Sequence, residues 1–107
     1  MASKKKNPSI RIGAIEYEIK HTDDLRHDDT ELMGCIIHTD STIHLRTGMS
    51  DQITPVVLLH EIIHGILSNA GVKKHSEHVI DALAYGLLEL ERNNPGVLKI
   101  NLEGLLK

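Results

Sequence analysis

Two histidines and a glutamate with the spacing of a metal site stand in the middle of an apolar run, as His60, Glu61 and His64. In an α-helix, residues four positions apart lie on the same face about one turn apart, so both imidazoles can reach one cation. A glutamate directly after the first histidine can hold a water beside that cation without itself binding the metal. The pattern therefore predicts a zinc site, with Glu61 as the general base of a metal-assisted hydrolysis.

The residues around this motif are apolar on all sides of the predicted helix. They are Val56, Val57, Leu58, Leu59, Ile62, Ile63, Ile66 and Leu67. Such a helix is buried, and three ionisable side chains are costly to bury without a compensating charge. A bound cation is therefore favoured over the alternative, in which His60, Glu61 and His64 only form hydrogen bonds within a core.

A catalytic zinc usually has three protein ligands and one open position for water, so a third ligand is needed. The candidates are His75, Glu77 and His78. Glu77 is preferred because Asp81 follows four residues later on the same helical face and can accept a hydrogen bond from the ring N–H of His60. His75 and His78 remain alternatives, and Asp81 could instead be an exposed acid favoured by the helix dipole.

Two long helices should carry these residues. The first is predicted over about residues 51–70, and Gly71 closes it. The residues that can cap its start are Ser50, Asp51 and Thr54, the last followed by Pro55. The second helix is predicted over about residues 76–93, between Ser76 as N-cap and a stop at residues 94–96. The short connection predicts antiparallel packing, which brings the start of the second helix beside the end of the first.

Alternating apolar and polar residues before the helices predict a small antiparallel sheet of about three to four strands. Residues 9–21 form one predicted hairpin, and residues 33–38 and 42–46 form a second. The Asp-rich segment 22–31 is predicted to be a loop or a short turn of helix, anchored by Leu25. The predicted fold class is therefore α+β, with the sheet packed on the two helices.

The strand over residues 42–46 should place Ile43 and Leu45 in the core. Its outward side chains would be those of Thr42, His44 and Arg46. This strand is expected at a sheet edge or beside a groove, where an extended peptide could add as a further strand. His38 and His44 could then reach the metal site, although both also fit exposed positions of a half-buried sheet.

Length and composition bound the class of protein. The chain has 107 residues, enough for one domain, which we expect over residues 9–107 after a disordered basic lead-in of residues 1–8. Phe and Trp are absent, so the core must be aliphatic and base stacking on aromatic side chains is not expected. The net charge is −3, and the basic run Lys4-Lys5-Lys6 stands alone, which argues against nucleic acid as a partner.

The single cysteine, Cys35, excludes an internal disulfide, and no apolar run has the length of a signal peptide or a membrane span. We therefore expect a cytoplasmic protein with no membrane partner. Cys35 is interpreted as a small apolar residue of a strand, with a role as thiolate ligand or nucleophile left open. The apolar tail, residues 96–107, is expected to form a strand, cover a helix or mediate self-association.

The two motifs together, His60-Glu61-Ile62-Ile63-His64 and Glu77-His78-Val79-Ile80-Asp81, resemble the gluzincin pattern. This resemblance implies that both motif histidines and Glu77 bind zinc, and that Asp81 supports a histidine ligand.

The compact layout, with small strands before the first helix and Leu-Ala-Tyr-Gly-Leu-Leu at residues 83–88, resembles the short phage and prophage zincin-like proteins related to the ImmA/IrrE peptidases. The resemblance covers about residues 9–95. It implies a minimal zincin-like fold and a small intracellular metallopeptidase with one zinc ion per chain.

The expected reaction is hydrolysis of a protein or peptide substrate, in which Glu61 takes a proton from zinc-bound water and passes it to the leaving amine. Candidates to stabilise the oxyanion are Tyr85, His44, His38 and Arg46. Among them, Tyr85 lies one turn beyond Asp81, although an aromatic residue there also fits a core position. His78 could also mimic the third histidine of zinc proteases that act beside DNA, but the acidic net charge argues against that branch.

Two further hypotheses stay open. One is a zinc-binding regulatory or interaction module with little or no proteolytic activity, which a fourth ligand at His75 or His78 would favour. The other is a structural domain without a metal. The sequence leaves the oligomeric state open.

Overall fold

The computed structural model describes residues 7–106 of the chain. This part of the chain forms six strands and three helices. They are β1 (Ser9–Ile12), β2 (Ile15–Thr22), β3 (Arg26–His27), β4 (Thr30–Glu31), β5 (Gly34–Ile37), β6 (Thr42–Arg46), α1 (Thr54–Asn69), α2 (Glu77–Asn93) and α3 (Glu103–Leu106). The α+β class is confirmed, with a four-stranded sheet and two main helices.

The order of the four-stranded sheet is β1-β2-β6-β5. Both predicted hairpins are present, since β1 pairs antiparallel with β2 and β5 pairs antiparallel with β6. The prediction of a wholly antiparallel sheet is wrong, because β2 and β6 run parallel, from Glu18 opposite Thr42 to Thr22 opposite Arg46. The long excursion through β3, β4 and β5 makes this pairing feasible, because parallel neighbours need a crossover rather than a tight turn.

The expected edge position of residues 42–46 is also wrong, because β6 lies between β2 and β5. Its side chains of Ile43 and Leu45 are fully buried, as the alternation predicted. A parallel partner on one side and a hairpin partner on the other cover both edges of β6. The free edge on this side of the sheet therefore belongs to β5.

The segment between β2 and β5 forms a two-stranded ribbon of β3 and β4 rather than a turn of helix. Its two-residue loop, Asp28 and Asp29, has φ angles of 49° and 64°, as in the type I′ turns that match strand twist. Leu25 is buried, so the predicted apolar anchor is present.

The start of α1 follows the later of the two predicted starts, at Thr54 followed by Pro55. Its N-cap residue is Ile53, which makes no capping bond through its side chain, so the predicted capping side chains do not act as N-caps. Instead, Oγ of Ser50 accepts a hydrogen bond from the N–H of Ile53, and the hydroxyl of Thr54 donates to the carbonyl of Ser50. The helix packs closely on the sheet at Gly65, where a Cβ atom would lie 2.9 Å from Cδ1 of Ile12.

Helix α2 begins as predicted, with Oγ of Ser76 accepting a hydrogen bond from the N–H of Val79. Ile80 and Ala84 are its buried residues, and they pack into the core with α1. The other buried members of this core are Ile12, Tyr17, Ile19, Ile43, Leu45, Val56, Val57, Leu58, Leu59, Ile62 and Ile63. The apolar face of α1 thus joins the inner strands to α2.

The chain ends are tied to this core within residues 7–106. The carbonyl of Pro8 accepts a hydrogen bond from the N–H of Ile19, whereas residues 1–6 of the predicted lead-in lie outside the described residues. In the tail, Leu102, Leu105 and Leu106 pack against the core, so the tail covers it with a short helix. No helix among the described residues has the length and hydropathy of a membrane span.

Candidate metal centre

Three side chains from the two main helices converge on one point. Nε2 of His60 and Nε2 of His64, one turn apart on α1, are separated by 3.2 Å. The carboxylate of Glu77, at the first residue of α2, reaches both, with Oε2 2.8 Å from His60 Nε2 and Oε1 2.8 Å from His64 Nε2. The antiparallel packing of the helices produces this arrangement, because it sets the start of α2 beside the middle of α1.

The contacts of His60 fix which of its nitrogens faces the cluster. Oδ1 of Asp81 lies 2.7 Å from Nδ1 of His60, and a carboxylate accepts a hydrogen bond. When a cation lies at Nε2, the ring of His60 would carry its proton on Nδ1 and donate it to Asp81.

A cation could lie where these three side chains converge. An imidazole lone pair and a carboxylate can both face a positive charge, whereas without one a proton must lie between them. Zinc binds imidazole nitrogen at about 2.0–2.1 Å, so tetrahedral ligand atoms lie roughly 3.3 Å apart. The observed separations of 2.8 to 3.2 Å are close to this value. His60, His64 and Glu77 are therefore close enough to hold one metal ion.

Glu61 is buried beside this cluster, with Oε2 4.0 Å from Nε2 of His60. Burial raises the pKa of Glu61 to about 7; the charge of His60 opposes this shift, and the carboxylates of Glu77 and Asp81 add to it. A cation bound nearby would oppose this shift and favour the ionised form, which is the form that can take up a proton.

Burial is the largest cause that lowers the pKa of His64. The carboxylate of Glu77 opposes this shift, and the charges of His60 and His75 add to it. A lowered pKa favours the neutral imidazole. Neutral imidazole is the form that binds a metal, so the burial of His64 suits it to be a ligand.

The cluster lies in an open cleft of about 580 Å³. The charged side chains that line this cleft are all acidic, namely those of Glu31, Glu61, Glu77 and Asp81. Its apolar walls come from the start of α1 with its N-cap residue and from β5 with the two residues before it, and include Ile53, Val56, Val57, Leu32, Met33 and Ile36. Tyr85, with 52% of its surface exposed, lines the cleft one turn beyond Asp81 and is not a core residue.

Other predicted candidates lie elsewhere. Nδ1 of His44 lies 2.8 Å from the hydroxyl of Thr22, and Nδ1 of His38 lies 3.0 Å from the hydroxyl of Tyr17. The guanidinium of Arg46 donates to two backbone carbonyls, those of Leu25 and Leu32. None of the three lines the cleft.

The two alternative third ligands are also accounted for. His78 is exposed and is not part of the metal cluster. Nδ1 of His75 lies 2.8 Å from Nδ1 of His64, so His75 contacts the side of that ring that faces away from Glu77. Glu77 is therefore the third residue of the cluster that could hold a metal ion.

Sequence reasoning missed the part that β5 plays in the cleft. A Cβ atom on Gly34 would lie 2.7 Å from Cγ1 of Val57 and 3.4 Å from Cγ of Glu61, so the glycine lets the edge strand approach the helix at the motif. A glycine inside a strand pattern is the signal for such an approach. Next to it, Cys35 is a half-buried free thiol, and burial together with the charge of Glu61 raises its pKa, so it is not ionised at neutral pH.

Comparisons with known proteins add no family to this geometry. The chain matches no protein-family model, and neither the curated proteins nor the solved structures include a significant match to it. The resemblance to gluzincins rests on the residues of the two motifs, and the spatial arrangement rests on the side-chain contacts described above.

Proposed function

We propose that this protein is a zinc-dependent hydrolase that cleaves a protein or peptide substrate, as a small peptidase of the zincin-like type that its motifs resemble. One observation carries the proposal. Two imidazole nitrogens and a carboxylate converge within 2.8 to 3.2 Å of one another, and the buried carboxyl group of Glu61 stands beside them in an open cleft. Three protein donors with an open side are the arrangement of a catalytic zinc rather than a structural one.

Glu61 is the proton carrier of the proposed reaction. Zinc held by His60, His64 and Glu77 would supply Lewis acidity to the cleft and would make water a better nucleophile. Glu61 takes the proton of the water whose oxygen attacks the peptide carbonyl carbon. It then gives that proton to the leaving nitrogen as the C–N bond breaks, which its buried position beside His60 supports.

The free edge of β5 supports a peptide as the substrate. The N–H of Arg46 donates to the carbonyl of Met33 at 2.8 Å, which makes these two residues a hydrogen-bonded pair of the antiparallel ladder. In such a ladder, successive residues direct their backbone N–H and C=O groups alternately toward the partner strand and away from it. Met33 faces β6, so Gly34 and Ile36 direct their backbone groups away from β6, toward the free edge. An extended peptide can add to these groups along the cleft, so we assign strand addition to β5 rather than to residues 42–46.

Tyr85 is the proposed partner for the oxyanion, because its exposed side chain lines the same cleft. The alternative, a zinc-binding module without turnover, would need a further protein ligand to close the site. His75 is engaged with His64 and His78 is exposed, which weakens that alternative. The free thiol of Cys35 suits a reducing compartment, and we propose the cytoplasm.

The test compares the wild-type protein with Glu61→Gln and with Glu16→Gln, which makes the same change in an exposed residue of β2. Zinc content is measured by elemental analysis, and turnover by mass spectrometry of new termini in a peptide mixture. We expect about one zinc per chain in all three proteins, and loss of turnover by at least about 100-fold only in Glu61→Gln. Less than about 0.2 zinc per wild-type chain would exclude the metal site. Cleavage that survives in Glu61→Gln would exclude Glu61 as the proton carrier.

A further inference from the structure

We propose that His75 is a positioning residue, which holds the ring of His64 in the orientation and tautomer that metal binding requires. This inference rests on the proposed metal centre and concerns a residue outside its three donors. Nδ1 of His75 lies 2.8 Å from Nδ1 of His64, and Nε2 of His75 lies 2.6 Å from the carbonyl oxygen of Val72. The two ring planes are inclined by 29° and their centroids lie 5.0 Å apart, so the rings meet edge to edge, as an in-plane hydrogen bond requires.

The contact with Val72 decides the direction of the hydrogen bond between the two histidines. A carbonyl oxygen can only accept, so in a neutral His75 ring the proton lies on Nε2. Nδ1 of that ring then accepts, which matches a His64 ring with its proton on Nδ1. This tautomer of His64 leaves its lone pair on Nε2, the nitrogen that lies 2.8 Å from Glu77.

The backbone at the end of α1 holds the carbonyl of Val72 in place. The N–H of Val72 donates to the carbonyl of Leu67 at 2.9 Å, and the N–H of Gly71 donates to the carbonyl of Ser68 at 3.1 Å. Together with the φ angle of 86° at Gly71, these two bonds form a Schellman motif. This turn carries the carbonyl oxygen that Nε2 of His75 contacts, and Nδ1 of His75 contacts His64.

Each of the two histidine ligands of the proposed metal centre therefore has a hydrogen-bond partner at its other ring nitrogen, Nδ1. Asp81 supports His60 from α2, and His75 supports His64 from the connection between the helices. Both nitrogens of His75 are engaged in these contacts, which explains why His75 is not itself a donor of the cluster. Partners of this kind fix the ring of a ligand, and their loss typically weakens metal binding by about 10–100-fold.

The test uses His75→Leu, which fills similar space without an acceptor, and His75→Asn, whose Oδ1 can occupy the position of Nδ1 and accept the same hydrogen bond. The control is His78→Leu, which removes an exposed histidine from the same segment. Zinc affinity is measured by competition with a chelator, so turnover is not needed. We expect an affinity about 10–100-fold weaker for His75→Leu, at most a few-fold weaker for His75→Asn, and unchanged for the control.

A second readout is the long-range ¹H–¹⁵N spectrum of the histidine rings in the zinc-loaded protein. We expect His64 to be metal-bound through Nε2 with its proton on Nδ1, and His75 to be free of metal. Equal zinc affinity of wild type and His75→Leu, or a metal-bound nitrogen on His75, would overturn the inference alone. A wild-type protein that binds no zinc would overturn the metal centre and the inference with it.

Discussion

Oδ1 of Asp81 lies 2.7 Å from Nδ1 of His60, a contact between residues 21 positions apart in the chain. Asp81 stands one helical turn after Glu77, which reaches the other nitrogen of the same ring at 2.8 Å. One face of α2 therefore supplies both a proposed metal ligand and the acceptor that orients a second ligand. The side chain of Asp81 remains 59% exposed, so it can be replaced with little effect on the core.

Asp81→Ala should weaken zinc binding by about 10–100-fold, because the ring of His60 loses the acceptor that fixes its orientation. Competition with a chelator measures the affinity. The control is Glu89→Ala, which removes the same charge from an exposed position of α2. Equal affinities for the two variants would show that Asp81 has no part in holding His60.

Glu77→Ala should reduce zinc affinity more than Asp81→Ala does, because it removes a proposed ligand rather than the support of one. The side chain of Glu77 is 67% exposed, so the metal-free variant should differ from wild type by no more than about 1 kcal/mol in free energy of unfolding. Zinc stoichiometry and denaturant unfolding of the metal-free protein are the measurements. Undiminished zinc binding in a folded Glu77→Ala variant would assign the third ligand to another residue.

Gly34→Ala should destabilise the protein by about 1–3 kcal/mol, because the new methyl group overpacks the contact with the buried side chain of Val57. Gly86→Ala is the matched control, since a Cβ atom there meets nothing within 4 Å. That variant should be more stable than wild type by about 0.5–1 kcal/mol, as expected for glycine in a helix interior. Denaturant unfolding compares the two. A Gly34→Ala variant as stable as wild type would mean that β5 and α1 can separate at little cost.

Glu91 should make the stability of the tail dependent on pH. Its carboxylate accepts hydrogen bonds from the backbone N–H groups of Gly96, Leu98 and Ile100, and these bonds, that of Gly96 most, lower its pKa. A lowered pKa means that the folded state favours the ionised form. The stabilisation is therefore complete at a pH above 4.5, the ordinary pKa of a glutamate. It is lost as the pH falls through the lower pKa that Glu91 has in the folded state.

Melting temperatures between about pH 3 and pH 7 test this prediction, because that range spans the ionisation of a glutamate. Glu91→Gln should melt below wild type at neutral pH, and the difference should disappear in acid. Glu89→Gln, which makes the same change two residues earlier, should show no such trend. A difference between Glu91→Gln and wild type that is constant across the range would argue against the ionised carboxylate as the cause.

Much of the local structure follows from sequence patterns. The period-two alternation gave both hairpins, and the side chain of Ser76 marked the start of α2. The four-residue spacing of His60 and His64 put two imidazoles on one helical face, and the same spacing put Glu77 and Asp81 on one face of α2. These inferences succeed because they depend on helical and strand periods within a few residues of the chain.

The order of the strands could not be predicted in this way. Hairpins β1–β2 and β5–β6 can join along more than one pair of edges, and local alternation does not distinguish them. The parallel pairing of β2 with β6 left β5 at the free edge. As a result, His44 lies against Thr22 instead of in the cleft, and Gly34 lies beside Glu61.

By itself, the sequence determined the chemical types and helical spacing of His60, Glu61 and His64, since a regular helix fixes the relative directions of side chains four residues apart. Only the tertiary structure decided that Glu77 completes the cluster and that His75 contacts the far side of His64. The choice among His75, Glu77 and His78 depends on how α2 is rotated and placed against α1. Burial of Ile80 and Ala84 in the shared core sets that placement, and it turns Glu77 and Asp81 toward His60.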